Sequence, residues 1–409
     1  MVEIMSIEIR AVEQDELQAY ADAAQIGFLD SGPVPEDRLA RFAARFLPGR
    51  YWTAVDDGRF VATLRSHTFD TTLPGIALST AGLTTVTVTA THRRLGLMSK
   101  MLRADMESSV ERGEPLATLI AAEWPIYGRF GFAPAVDHAT YEIDAAAARW
   151  RTTGEGRVEV VDVETLRAEA PAVYDVHRLR SPGEISRDDL TWDSCAQITP
   201  FEGPWKGFQV LCRDDSGAVA GYAQYEVDKV FEARRPKGKL KLMELMATTP
   251  AISTRLWSYL TDIDWVTTVV AEDRSIDDPL RFSLVDGRVA KATMRADFTW
   301  ARPLDVAACL SARSYVIPGR VVFEVVDPMG FCNGRYLLDV TAEGAQCTST
   351  DQSAELTLPV GTVGALSFGG ASLTQLAAAG LADEHCAGAV ARADSLFHWP
   401  VAPWSATWF

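Results

Sequence analysis

TTVTVTATHRRLGLMSKMLRADMESSVERGEPLATLIAAEWPIYGRFG, residues 84–131, is the stretch from which the fold is read. Val86 and Val88 alternate with threonines, the pattern of a half-buried strand. Thr91 to Arg93 form a polar turn. Leu95, Met98, Met101, Leu102, Met106 and Val110 then recur at helical spacing up to Gly113, a residue type that ends helices. Leu116 to Ala121 is a second apolar run, and Tyr127 follows beside the Gly128-Arg129-Phe130-Gly131 knot. A strand that leads into a helix is a setting for phosphate, because the free N–H groups of a helix's first turn and the helix dipole both face an anion there. The amides from Arg94 to Ser99 are the candidates. Gly96 lets backbone approach closely, and Arg93 and Arg94 add charge-assisted bonds. On spacing alone, a plain strand-to-helix turn with two solvated arginines stays open as well.

Outward from this stretch, Ile7 and Ile9 begin a strand, and Glu13 to Phe28 carries a helical stripe that the segment Asp30 to Pro35 breaks. Leu39, Phe42, Ala43 and Phe46 mark a second helix. Tyr51 to Val55 and Phe60 to Thr68 form a hairpin turned by Asp57-Gly58. Beyond a polar linker at Arg151 to Gly156 the pattern starts again. LKLMELMATTPAISTRLWSYL, residues 240–260, repeats the strand, Thr-rich turn and helix of the first copy without its paired arginines or glycine, which indicates an internal duplication. After Trp300-Ala301-Arg302-Pro303 come a helix, three strands, two finishing helices and the aromatic tail FHWPVAPWSATWF. The expected domains are 1–152, 153–301 and 302–409, in an α+β architecture.

The 409 residues exceed what one hydrophobic core usually supports. A net charge of -16 argues against sequence-independent nucleic-acid binding and suits a cationic substrate better. No long apolar run and no basic-then-apolar leader is present, which places the chain off the membrane and in the cytoplasm. The six cysteines lack metal or CxxC spacing, the six histidines show no paired spacing, and no G-x-S-x-G cue suggests an acyl-enzyme. No metal is expected.

The order strand, R-x-x-G, helix, strand resembles motif A of the GNAT superfamily of acetyl-coenzyme A-dependent N-acetyltransferases, Q/R-x-x-G-x-G/A. Arg93 and Gly96 match, and Met98 stands where the motif has a small residue. With VTVTATHRRLGL, IYGRFGF, the degenerate second copy, the third domain and the terminal aromatic, essentially the whole chain is similar to the Eis (enhanced intracellular survival) family. The resemblance implies two tandem GNAT domains, only the first active, a C-terminal domain like sterol carrier proteins, and a homohexamer. It implies that Val86, Thr87 and Val88 hold the pantetheine arm of acetyl-coenzyme A, and that Arg93, Arg94, Leu95, Gly96, Leu97, Met98 and Ser99 hold its pyrophosphate. Ala122 and Glu123, on the neighbouring strand, would line the thioester end. Tyr127 would be the general acid, a role a phenol with an ordinary pKa near 10 can fill. The α-carboxylate of Phe409 would be the general base, carried in by a tail too aromatic to leave in water without cost. The acceptor would be a primary amine, on a small cationic molecule or on lysine. Asp30, Glu36 and Asp37 are weaker candidates to meet it, a solvated loop being the plainer reading of those residues. Trp408 stands where aminoglycoside-acetylating members carry an acid. An acyltransferase for longer chains and a lipid- or ligand-binding protein stay open as other readings.

Overall fold

The computed structural model describes residues 7–200 and 203–409. Its first sheet begins with β1 (Glu8–Ala11) and, after helices α1 (Leu17–Gly27) and α2 (Glu36–Ala44), continues as β2 (Tyr51–Asp56), β3 (Arg59–Leu73) and β4 (Ile76–Val88). The β2–β3 turn forms where Asp57-Gly58 requires it, with φ of 48° and 71°. Helix α3 (Leu97–Glu111) buries Leu97, Met101, Leu102 and Met106 and ends before Gly113, whose φ is 77°. It leads to β5 (Leu116–Ile120), the short helix α4 (Trp124–Tyr127), β6 (Ala133–Pro134) and β7 (Asp137–Asp144).

Two strands cross between neighbouring sheets. The first sheet runs β1-β2-β3-β4-β5, then Thr299–Pro303, then β6, so a strand from far along the chain closes its edge. In return β7 leaves for the second sheet, between Ala290–Asp297 and Val266–Arg274, where Ala139, Tyr141 and Ile143 enter the second core. Strand β7 therefore follows the first unit in the chain but pairs in the neighbouring sheet. The change of character after Trp300 falls inside a strand of the first.

The second sheet continues through Gly238–Ala247, Val219–Asp228, Phe208–Arg213 and Arg157–Val161. Its parallel pairing of Gly238–Leu242 with Val266–Ala271 repeats that of Thr80–Leu83 with Leu116–Leu119 in the first. The strands Val266–Arg274 and Ala290–Asp297 were not anticipated from the sequence. The third unit is a five-stranded sheet covered by helices. Its last helix, Ala389–Phe397, is a correction to the reading of two finishing helices. Buried Arg302 on the first sheet's borrowed strand donates to both carboxylate oxygens of Asp327 (3.0 and 2.8 Å) and to the Phe130 carbonyl (2.7 Å), joining the third unit to the segment after Tyr127.

Candidate active site

Strands β4 and β5 are paired from Thr80↔Leu116 to Leu83↔Leu119 and then diverge. Past Leu83, β4 pairs only with β3 among the described residues, so its edge at Val86, Thr87 and Val88 has no partner strand there. A bulge helps to open the gap. The β3–β4 register steps from Thr63↔Thr87 to Arg65↔Thr84, which gives β4 one extra residue, and Thr85 takes a φ of 54°. Thr63 Oγ1 donates to the Thr85 carbonyl (2.9 Å) and Arg65 Nε donates to Thr85 Oγ1 (3.0 Å), which fixes this otherwise costly conformation. Nothing in the residue types announces the bulge.

The loop 89–96 joins β4 to α3. Its 3-10 turn at Ala90–His92 is tied down by His92, which bonds Asp56 Oδ2 at 2.9 Å. The helix proper starts at Leu97, so its first-turn amides are those of Leu97, Met98 and Ser99; Arg94 and Leu95 belong to the loop, a correction to the expectation that the helix opens at Arg94. Arg94 and Gly96 hold φ of 67° and 76°. No atom stands within 4 Å of where a Gly96 Cβ would be, so the backbone here faces open space. Arg93 and Arg94 are exposed, and neither side chain has a hydrogen bond or ion pair among the described residues. Two free guanidinium groups beside bare helix amides fit a pyrophosphate. Met98 is half-buried and packs on the first core, which explains how the motif's small position tolerates it.

Tyr127 ends α4 and is 7% exposed, packed in the first core with its ring 6.3 Å from that of Phe132. Burial, and secondarily the charge of Glu123, push its phenol pKa up, so it stays protonated at neutral pH. Gly131 has a φ of 83°, and a Cβ there would lie 2.3 Å from Arg302 Nη1, so the knot after Tyr127 needs this glycine for the Arg302 anchor. Ala122 and Glu123 lie outside β5, which ends at Ile120; they are exposed loop residues rather than part of a splayed strand, another correction.

The tail arrives from the third unit along the second. The Trp404 amide donates to the Pro182 carbonyl (2.7 Å), and Ser405 Oγ, the Ala406 amide and Thr407 Oγ1 donate to Glu184 at 3.0, 2.8 and 3.0 Å. Arg187 Nε donates to Thr407 Oγ1, and the Ser405 carbonyl lies 2.6 Å from His138 Nε2. Phe409 then meets Phe69 of β3 edge to face, with centroids 4.8 Å apart. A Cβ on Gly82 would lie 2.2 Å from the Phe69 ring and 3.1 Å from that of Phe409. Gly82 immediately precedes the last β4–β5 pair, so the structure sets Phe409 beside the mouth of the splay. Trp408 turns away: its Nε1 donates to Asp273 (3.1 Å) and its ring meets Phe298. Asp30 pairs with Arg38 (3.5 Å) and Asp37 with Arg41 (2.8 Å), while Glu36 sits in the first turn of α2.

Among the described residues no cluster of metal-ligating side chains is found, and no helix is long and apolar enough to cross a membrane. Residues 8–135 and 183–303 match acetyltransferase (GNAT) domain families, and 306–406 match the sterol carrier protein domain. An uncharacterised N-acetyltransferase of Streptomyces avermitilis is 40% identical, over 97% of both chains. The N-acetyltransferase Eis of Mycobacterium tuberculosis is 33% identical, over 75% of both. Crystalline Eis1 from Mycobacterium abscessus superposes with a TM-score of 0.88 at 26% identity, covering 98% of this chain and 100% of that one. The doubled GNAT fold, the third domain and these relatives agree: the chain belongs to the Eis family of GNAT N-acetyltransferases.

Proposed function

We propose that the chain transfers acetyl from acetyl-coenzyme A to a primary amine by direct attack, with both substrates bound together. The observation that carries this reading is the unpaired edge of β4 running to a loop with two unengaged arginines and bare helix amides. Acetyl-coenzyme A supplies the acyl group as an activated thioester. The Val86–Val88 edge holds the pantetheine arm through backbone bonds. Arg93 and Arg94, with the amides of Leu97 to Ser99, hold the pyrophosphate, and Ala122 and Glu123 border the thioester end. Tyr127 delivers its proton to the departing sulfur. The Phe409 carboxylate takes the proton that an ammonium must lose before it can attack.

The acceptor is best read as one primary amine, on a small molecule or a lysine side chain, rather than a polycation. Asp30 and Asp37 are already engaged by arginines, which leaves Glu36 alone of the three acids without an ion pair among the described residues, and Trp408 offers no carboxylate. A homohexamer working in the cytoplasm completes the reading, supported by likeness to the family. Release of free thiol from acetyl-coenzyme A over a panel of amines tests the proposal. Acetylation of monoamines with lower KM than polyamines is expected. Faster turnover with longer acyl-coenzyme A than with acetyl-coenzyme A would favour the other acyltransferase reading, and no thiol release with any amine would exclude transfer.

A further inference from the structure

A cavity of about 670 Å³ lies where the three units meet, within the size range of small-molecule sites. It shares no lining residue with β4 or the cofactor loop. Its walls are largely apolar, with Trp124 and Phe132 from the first unit, Ile276 from the second, and Val360, Leu376 and Pro403 from the third. Two lining residues keep unspent hydrogen-bond donors. Arg295, whose side chain is 65% exposed at the cavity's open side, donates Nε and Nη2 to Asp137 Oδ2 (2.8 and 2.5 Å), which leaves Nη1, and the side-chain amide of exposed Gln375 has no protein partner among the described residues. Asp137 already balances the Arg295 charge, so a second carboxylate here would meet its repulsion, whereas a hydroxyl or carbonyl would not.

Gly128 is an independent sign. It lines the cavity with a φ of −58°, which any residue adopts, and no atom lies within 4 Å of where its Cβ would stand. Neither backbone nor packing asks for glycine there, and the missing side chain keeps the wall bare. The cavity also touches both arms of the acetyl-transfer site. Trp124 and Gly128 flank Tyr127, and Ala402 and Pro403 lead directly into Trp404 to Phe409.

We propose that this cavity binds an uncharged amphiphile, a hydrocarbon body with one hydroxyl or carbonyl, at a site distinct from acetyl transfer and coupled to it through these two segments. The coupling rests on the acetyltransferase reading; the binding does not. Calorimetric titration of the full chain without acetyl-coenzyme A, using 1-decanol and decanoate, tests the binding. One saturable site for 1-decanol is expected, with decanoate at least about tenfold weaker. Gly128→Leu and Ala371→Leu fill the cavity from the first and third units, and each lowers 1-decanol affinity by about tenfold or more at unchanged thermal unfolding. Absence of saturable 1-decanol binding to the wild type overturns the proposal, as does undiminished binding in both folded variants. Equal binding of decanoate overturns the assignment of an uncharged head. Saturating 1-decanol should also change kcat by about twofold or more while KM for acetyl-coenzyme A holds. An unchanged kcat alongside demonstrated binding overturns the coupling alone.

Discussion

Tyr127 illustrates how much a single side chain's surroundings decide. Burial keeps its hydroxyl protonated, and the Arg302–Asp327 anchor behind Gly131 fixes the segment that carries it. Tyr127→Phe keeps the packed ring and removes the proton. It should lower kcat about 10²-fold and leave acetyl-coenzyme A affinity within about twofold, measured by steady-state kinetics beside a binding titration. Unchanged turnover would remove the acid assignment. The tyrosine could be singled out from the sequence, but its anchor could not, because Arg302 lies on a strand borrowed from 172 residues beyond Phe130. Asp105 is a second residue that pattern hides, a carboxylate on the apolar stripe of α3. Its Oδ1 accepts from Ser66 (2.6 Å) and Trp52 (3.2 Å), Oδ2 has no partner among the described residues, and burial pushes its pKa up to about 6. A carboxyl raised in the fold favours folding below its unfolded pKa and loses that contribution as pH rises through about 6. Wild-type stability relative to Asp105→Asn should therefore fall by roughly 1 kcal/mol between about pH 5 and about pH 7.5 in urea titrations. A pH-independent difference would mean that Asp105 is not protonated by its burial.

At the scale of elements, the two copies of strand, turn and helix act as each other's control. Both carry a bulge near the splay: β4 has its extra residue by Thr85, and the second copy has one at Met243, between Tyr225↔Leu242 and Gln224↔Glu244. The bulge therefore belongs to the scaffold rather than to cofactor chemistry. What differs is the filling. In the second copy Arg274 donates to the Leu245 carbonyl (3.1 Å) and lies against Trp257 and Trp404, so the splay is closed by side chains. Its helix Pro250–Thr261 is capped by Thr249 Oγ1, and a Cβ on Gly154 of the linker would lie 2.4 Å from the Arg255 amide. The strand-turn-helix order was readable in both copies, because apolar periodicity records burial on one face. The closure of one and the openness of the other were not, since each depends on residues distant in the chain. Arg93→Ala and Arg94→Ala should each raise KM for acetyl-coenzyme A by about tenfold with little change in kcat, the value of one charge-assisted bond. Gly96→Val strains a positive φ and should add to this in the same steady-state assay. An unaltered KM in the double arginine variant would move the pyrophosphate elsewhere.

Across the whole molecule, the second unit has a task that its sequence did not disclose. Its segment 181–187 runs along the end of β3, with the Thr72 amide donating to the Glu184 carbonyl (2.8 Å) and the Ser186 amide to the Asp70 carbonyl (2.8 Å). The tail from the third unit lies on that segment through Glu184, which also accepts from Tyr174 (2.8 Å). The second unit is thus the bed on which a third-unit strand of chain is delivered to a first-unit cleft. If Phe409 works through its position, changes at the bed and at the tip should act alike. One glycine added after Phe409 shifts the carboxylate by about 3.5 Å and leaves every anchor in place. It should lower kcat by about tenfold or more, with thermal unfolding and KM for acetyl-coenzyme A unchanged. Thr407→Val removes the hydroxyl shared by Glu184 and Arg187, loosening the same tip from the other side, and should give a smaller loss of kcat in the same direction. Full activity in the extended protein would sink the base assignment and leave the tail a packing element. A loss in the extended protein with none in Thr407→Val would keep the carboxylate and show that Ser405 and Ala406 suffice to hold it.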